Sequence, residues 1–307
     1  MGKPPIWTNT TTYELIMQRL PRRFVSYKYC SMQTQRHAVD TNKSATALRA
    51  LKVLEALAQS RDALSAAEVA GIIGAERTTA YRMLMTLMEA GYVVRDQRAR
   101  AYRLGYKVLT LSRALLSGNE KTELVAACLR EISARTGEAA HYSVLERDYA
   151  VLVQRSIGTQ LVTIDFQVGD RAPLHCTSIG KVLLAYQDSA VVEAAILRGL
   201  PRHARNTITN PARLRAELRK VRAQRYAYDD LEFADDMRCV AVPVIEKDGH
   251  VTSGISLSGP ASRYSRQKLR ELRNCAMAAA RELSLSLGGT VADGDERPRS
   301  IKPLRRS

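Results

Sequence analysis

Apolar residues recur at helical spacing through most of residues 44–116, are interrupted there by one alternating run, and from Glu120 onward mix the two periods. Leu48, Leu51, Val53, Leu54 and Leu57 make one stripe of a helix expected over 44–58. Ser65-Ala66-Ala67-Glu68 has capping-box form: the Ser65 hydroxyl accepts from the Glu68 amide while the Glu68 carboxylate accepts from the Ser65 amide. The helix it opens is short and stops near Gly74, where the missing Cβ allows a sharp turn. The next helix is expected over 77–90, with Ala80, Met83, Leu84, Leu87 and Met88 inward and Gly91 ending it. A hairpin follows over 92–104, turning around 96–99, whose alternation sends Val93, Tyr102 and Leu104 to the core.

Helix, tight turn, helix and basic hairpin within about forty residues is the layout of a winged helix-turn-helix. The first turns of its second helix present Arg77, Thr78, Thr79, Tyr81 and Arg82. Arginine binds guanine edges or phosphate, while threonine, tyrosine and a helix N-terminus suit phosphates and thymine methyls. Arg95, Arg98, Arg100 and Arg103 in the hairpin are left for the duplex backbone, where they position the protein without specifying sequence. A solvated amphipathic face would explain the helix alone, but not the helix followed by a basic wing.

Val108, Leu109, Leu111 and Leu115 continue into a linker helix over 106–116, either a spacer or a rod that transmits shifts. Leu124, Val125, Cys128, Leu129 and Ile132 stripe another helix, closed by Gly137. Strands are expected over 139–145, 150–156 and 161–168, and a hairpin pairs 239–246 with 250–257 around Lys247-Asp248-Gly249. Asn210-Pro211 is a cap followed by proline at the first helical position, opening a helix to about Arg225. Hairpin-linked strands with helices laid on them imply an antiparallel sheet and an α+β domain.

The formal charge of +16 changes the picture by its location: residues 1–43 and 44–116 each carry +5, while 117–290 carry only +4 with 24 basic against 20 acidic groups. An excess over the N-terminal third suits phosphate neutralisation. Five scattered cysteines without a CxxC pair argue against a disulfide framework or structural zinc, and fit a reducing cytoplasm. No run of 18 apolar residues marks a membrane span, and the polar, basic first forty residues lack a signal-peptide core. Residues 1–43 are expected to be a disordered basic extension and 290–307 a disordered tail, with Met32 an alternative start to Met1.

The run GAERTTAYRMLMTLMEAGYVVRDQRARAYRLG, the linker YKVLTLSRALL, and then PLHCTSIGKVLLA, YAYDDLEFADDMRCVAVPV and SGISLSGP together resemble the IclR family of bacterial transcriptional regulators, over about residues 44–288. The resemblance implies a winged helix-turn-helix over 44–105, a linker over 106–119, and a GAF-like effector-binding and oligomerisation domain over 120–289. It implies a cavity lined by Ser178, Ile179, Asp229, Met237, Cys239, Ser256 and Ser258. Leu231 and Asp235-Asp236 depart from the family's usual residues beside that cavity. Independently, Thr177-Ser178-Ile179-Gly180 starts a helix whose free amides could hold an anion, with Gly180 permitting close approach. A plain alternating face for the serines and a solvated turn for Asp229-Asp230 are the competing accounts.

His175-Cys176 and Cys239 do not make a nucleophile with an orienting base, and His175, Cys176, Asp229 and Cys239 lack the paired short spacing of a metal site. Phosphate-loop, GxGxxG and HExxH motifs are missing, so neither catalysis nor a cofactor or metal is expected. The expected protein is a homodimer or homotetramer that binds a palindromic double-stranded operator under control of a small organic acid, aromatic acids included. The alternative is a ligand-independent repressor whose C-terminal half only oligomerises.

Overall fold

The computed structural model describes residues 44–96, 98–116, 120–164 and 166–289; the expectations for 1–43, Met32 and 290–307 lie outside them. The chain divides between Thr122 and Glu123 into two compact units.

The N-terminal unit holds α1 (Ala45–Gln59), α2 (Ala66–Ile73), α3 (Arg77–Glu89), the antiparallel pair β1 (Val93–Asp96) and β2 (Ala101–Leu104), and α4 (Val108–Leu116). Ser65 makes both capping-box bonds, and Gly74 ends α2 at φ 64°. The core gathers Val53, Leu57, Val69, Ile73, Ala80, Leu84, Val93 and Tyr102. Leu48 and Leu51 depart from the expected stripe: they are 49% and 56% exposed, and α1 buries Val53, Ala56 and Leu57 instead. Two reciprocal backbone bonds between Leu64 and Tyr102 fasten the hairpin beside α2.

The C-terminal unit is built on α5 (Glu120–Thr136), β3 (Ala139–Glu146), β4 (Tyr149–Ser156), β5 (Arg171–Pro173), α6 (Ser178–Ala185), α7 (Ser189–Leu197), α8 (Pro211–Gln224), β6 (Ala227–Asp230), β7 (Met237–Val244), β8 (Ser253–Pro260) and α9 (Arg266–Ser286). Its six strands run in the order β5-β4-β3-β8-β7-β6, every neighbouring pair antiparallel. Strand alternation separates two faces. Val240, Val242, Val244, Ile255, Leu257, Ala140 and Tyr142 pack with Leu129 and Ile132 of α5 and with Leu272, Ala276 and Leu283 of α9. The opposite face offers small residues, Ala150, Ala172, Ala227 and Ala241, to Val182, Leu183, Leu214, Leu218 and Val221 of α6 and α8. Small side chains on that face leave room beside the helices.

Residues 161–164 and 166–168 do not form the strand that their apolar content suggests; among these described residues only Ile164 forms a bridge. Ile164 and Phe166 turn inward while Leu161, Val162 and Val168 stay exposed. The segment is anchored by Arg263, which donates to Val162 O at 3.0 Å, by Arg155, which donates to Phe166 O, and by backbone bonds joining Gly169 and Asp170 to Leu152. The next stretch, β5, supplies the sheet edge instead.

Candidate DNA interface and effector cavity

In the N-terminal unit, Arg77, Thr78, Tyr81 and Arg82 are exposed at the start of α3 and Thr79 is half-buried. Glu76 is the α3 N-cap and makes no side-chain cap bond, so the first amides of the helix stay open to a phosphate. Arg95, Arg98, Arg100 and Arg103 are exposed along the wing. Asp96 Oδ1 accepts from the Arg98 and Ala99 amides at 3.0 and 3.2 Å, and Arg100 takes a left-handed conformation, φ 50°; together these close the wing tip. Among the described residues none of the six arginines is held in an ion pair. Their full charge is therefore available for counterion release on a duplex.

In the C-terminal unit one cavity opens on the small-residue face of the sheet. Ser178, Ile179, Asp229, Met237, Cys239, Ser256 and Ser258 all line it. Register explains how they converge: Asp229 faces Cys239, Cys239 faces Ser258, and Ser256 sits between Ala241 and His141 in the next row. The sequence missed His141, Ser143, Phe166, Phe233 and Asp170, which with Thr177 complete much of the wall. Strand register could have placed His141 opposite Ser256, but nothing local shows that 161–170 folds over the sheet. No lysine or arginine is among the described lining residues.

Asp229 is in β6 and fully buried, not in a solvated turn. Its Oδ1 accepts from the Glu232 and Phe233 amides at 2.8 and 3.3 Å, and Leu231 within that loop adopts φ 62°. Oδ2 has no partner among the described residues. Burial, with the Glu232 carboxylate next, raises its pKa to about 7. A pKa raised in the fold favours stability below the unfolded value and withdraws it as pH rises. Asp229→Asn is therefore expected to gain stability over the parent between about pH 4 and 7, holding the gain above that and losing it below; chemical denaturation at pH 4 and 8 checks this.

Thr177 Oγ1 caps α6 through the Gly180 amide at 3.0 Å, and Ser178 and Ile179, the first two residues of the helix, line the cavity. The role expected for Gly180 needs correction. A Cβ there would stand 2.3 Å from Pro173 O and 2.6 Å from Leu174 Cα, so the close approach is between α6 and its own chain, not a ligand. Behind the cavity, buried Lys181 reaches Glu232 at 2.5 Å and Glu217 at 3.2 Å. Burial works against its charge, but Glu232, Glu217 and Asp229 more than offset this and keep its pKa raised.

A model of the IclR helix-turn-helix domain matches residues 46–97, and one of the bacterial transcriptional regulator IclR C-terminal region matches 114–285. The chain belongs to the IclR family. It is 32% identical over 243 residues to the HTH-type transcriptional regulator KdgR of Escherichia coli K12, covering 78% of this chain and 92% of KdgR. The IclR structure from Thermotoga maritima aligns over 79% of this chain and 98% of its own, with 28% identity and a TM-score of 0.66. An IclR homologue of Microbacterium hydrocarbonoxydans complexed with 4-hydroxybenzoate aligns over 79% and 99%, with TM-score 0.68; at 24% identity it shows the shared fold alone. This IclR-family chain is thus a transcriptional regulator with a DNA-binding helix-turn-helix and a C-terminal effector domain, α+β in class. Among its described residues no helix is long and apolar enough to cross a membrane.

Proposed function

We propose that this regulator binds a near-palindromic operator as a homodimer or homotetramer, through Arg77, Thr78, Thr79, Tyr81 and Arg82 in the groove and Arg95, Arg98, Arg100 and Arg103 on phosphates. A small organic acid in the C-terminal cavity changes that affinity. Exposed Leu48, Leu51, Leu109 and Leu111 supply apolar surface for self-association.

The observation that carries the effector reading is the chemistry of the wall. Two helix-terminal amides, Ser256, Ser258 and His141 are hydrogen-bonding groups suited to a carboxylate, and protonated Asp229 can donate to it from Oδ2. The cavity encloses about 440 Å³, part of it continuous with solvent, which is room for a small organic acid.

Melts with a panel of small carboxylates identify the ligand by its rise in Tm. Operator titrations with and without it should then separate by about 5–150-fold for the parent and superimpose for Ser256→Leu, which fills the cavity without adding charge. If no carboxylate shifts the parent, the ligand-independent reading replaces this one. If Ser256→Leu still responds at the parent's ligand concentration, the effector binds elsewhere.

A further inference from the structure

His175 and Cys176 lie between β5 and α6, and His203 lies in the segment leading to α8. The fold brings them together: one ligand atom from each lies within 4.8 Å of the other two. The two imidazole rings are 5.7 Å apart between centroids and inclined at 49°. Nε2 of His175 is 2.9 Å from the Pro201 carbonyl oxygen, which can only accept, so in the neutral ring Nε2 carries the proton and Nδ1 the lone pair. A backbone carbonyl holding the remote N–H is the arrangement that orients metal-binding histidines. Nε2 of His203 is buried without a hydrogen-bond partner among the described residues, a nitrogen that has given up water for nothing. Cys176 is fully buried, between β5 and α6 beside His175.

We propose that His175, Cys176 and His203 form a binding site for a thiophilic divalent cation of the zinc class, with one coordination position left open. Tetrahedral zinc holds its ligand atoms about 3.6 Å apart, so the cluster closes by about 1 Å through side-chain rotation. Two imidazoles on one such ion have centroids about 5 Å apart, near the spacing already present. On binding, the Cys176 S–H bond breaks, its proton leaves to solvent and a sulfur–metal bond forms, with no change of oxidation state. The set differs from the one the sequence invites, because Asp229 and Cys239 belong to the cavity wall and the third ligand comes from a distant segment. The site adjoins that cavity: the His203 ring is 5.7 Å from that of Phe233, a lining residue.

The test uses the full chain stripped by chelator and titrated with Zn²⁺ against a chromophoric competitor, and in parallel with Co²⁺. One ion per chain, a thiolate-to-cobalt charge-transfer band, and at least a tenfold loss of Zn²⁺ affinity in His203→Ala are expected. Cys176→Ser should abolish the band; should that buried substitution fail to fold, His203→Ala, at a half-buried position, decides alone. Absence of the cobalt–thiolate band in the parent, or unchanged Zn²⁺ affinity in His203→Ala, overturns the proposal. Neither result depends on whether a carboxylate binds the effector cavity.

Discussion

Lys181→Met is expected to cost the C-terminal unit about 3–5 kcal/mol, the range found when one member of a buried ion pair is removed. Methionine fits the volume, so the loss comes from charge. Glu232 and Asp229 would keep their buried carboxylates, and Glu217 its half-buried one, without the ammonium that lies 2.5 Å from Glu232 and 3.2 Å from Glu217. The deficit should shrink as pH falls, because carboxylates whose folded pKa is raised lose their penalty on protonation. Urea denaturation at pH 8 and pH 5 reads both the size and the sign. Adding Glu232→Gln should restore part of the loss, since it removes one uncompensated charge. A Lys181→Met protein as stable as the parent at pH 8 would show that this cluster is not what holds α6 to the β6–β7 loop.

Legibility in the sequence followed the range of the interactions. Helix starts set by a residue and its neighbours three positions on, such as Ser65 with Glu68 and Asn210 before Pro211, were readable because the cap is local. The seven effector-wall residues came from family resemblance. Their convergence depends on pairing Asp229 with Cys239 and Cys239 with Ser258, which no single segment encodes. Residues 161–168 misled because apolar content reports burial without saying where backbone hydrogen bonds go; here they are taken up partly by the arginines of β4 and of the turn before α9. Leu48 and Leu51 misled in the opposite sense. Their spacing is right for a buried stripe, yet among the described residues both stay exposed. Of the His175, Cys176 and His203 cluster only the adjacent pair stood out in the sequence, there grouped with Asp229 and Cys239; a third ligand after a long gap matches no short-spaced metal motif.

Arg82→Ala should lower operator affinity by about 1–3 kcal/mol per half-site, hence about 2–6 kcal/mol for a dimer that engages both, and should relax base preference at one position in each half. Arg82 is exposed in the first turns of α3 and unpaired among the described residues, while Ala80 and Leu84 beside it are buried and fix the helix face. Truncating it therefore removes a contact without disturbing the core. Arg98→Ala should behave differently: at the wing tip held by Asp96 it is expected to contact backbone phosphate, so its loss should weaken all sequences alike and flatten the salt dependence by about one unit of slope. Footprints at several salt concentrations, on a selected operator and on scrambled duplex, separate the two behaviours. A two-fold symmetric footprint is expected, because one winged unit spans too few base pairs to be selective. Unaltered operator affinity in Arg82→Ala would remove α3 from the groove; equal losses on operator and scrambled duplex would move Arg82 from base to phosphate.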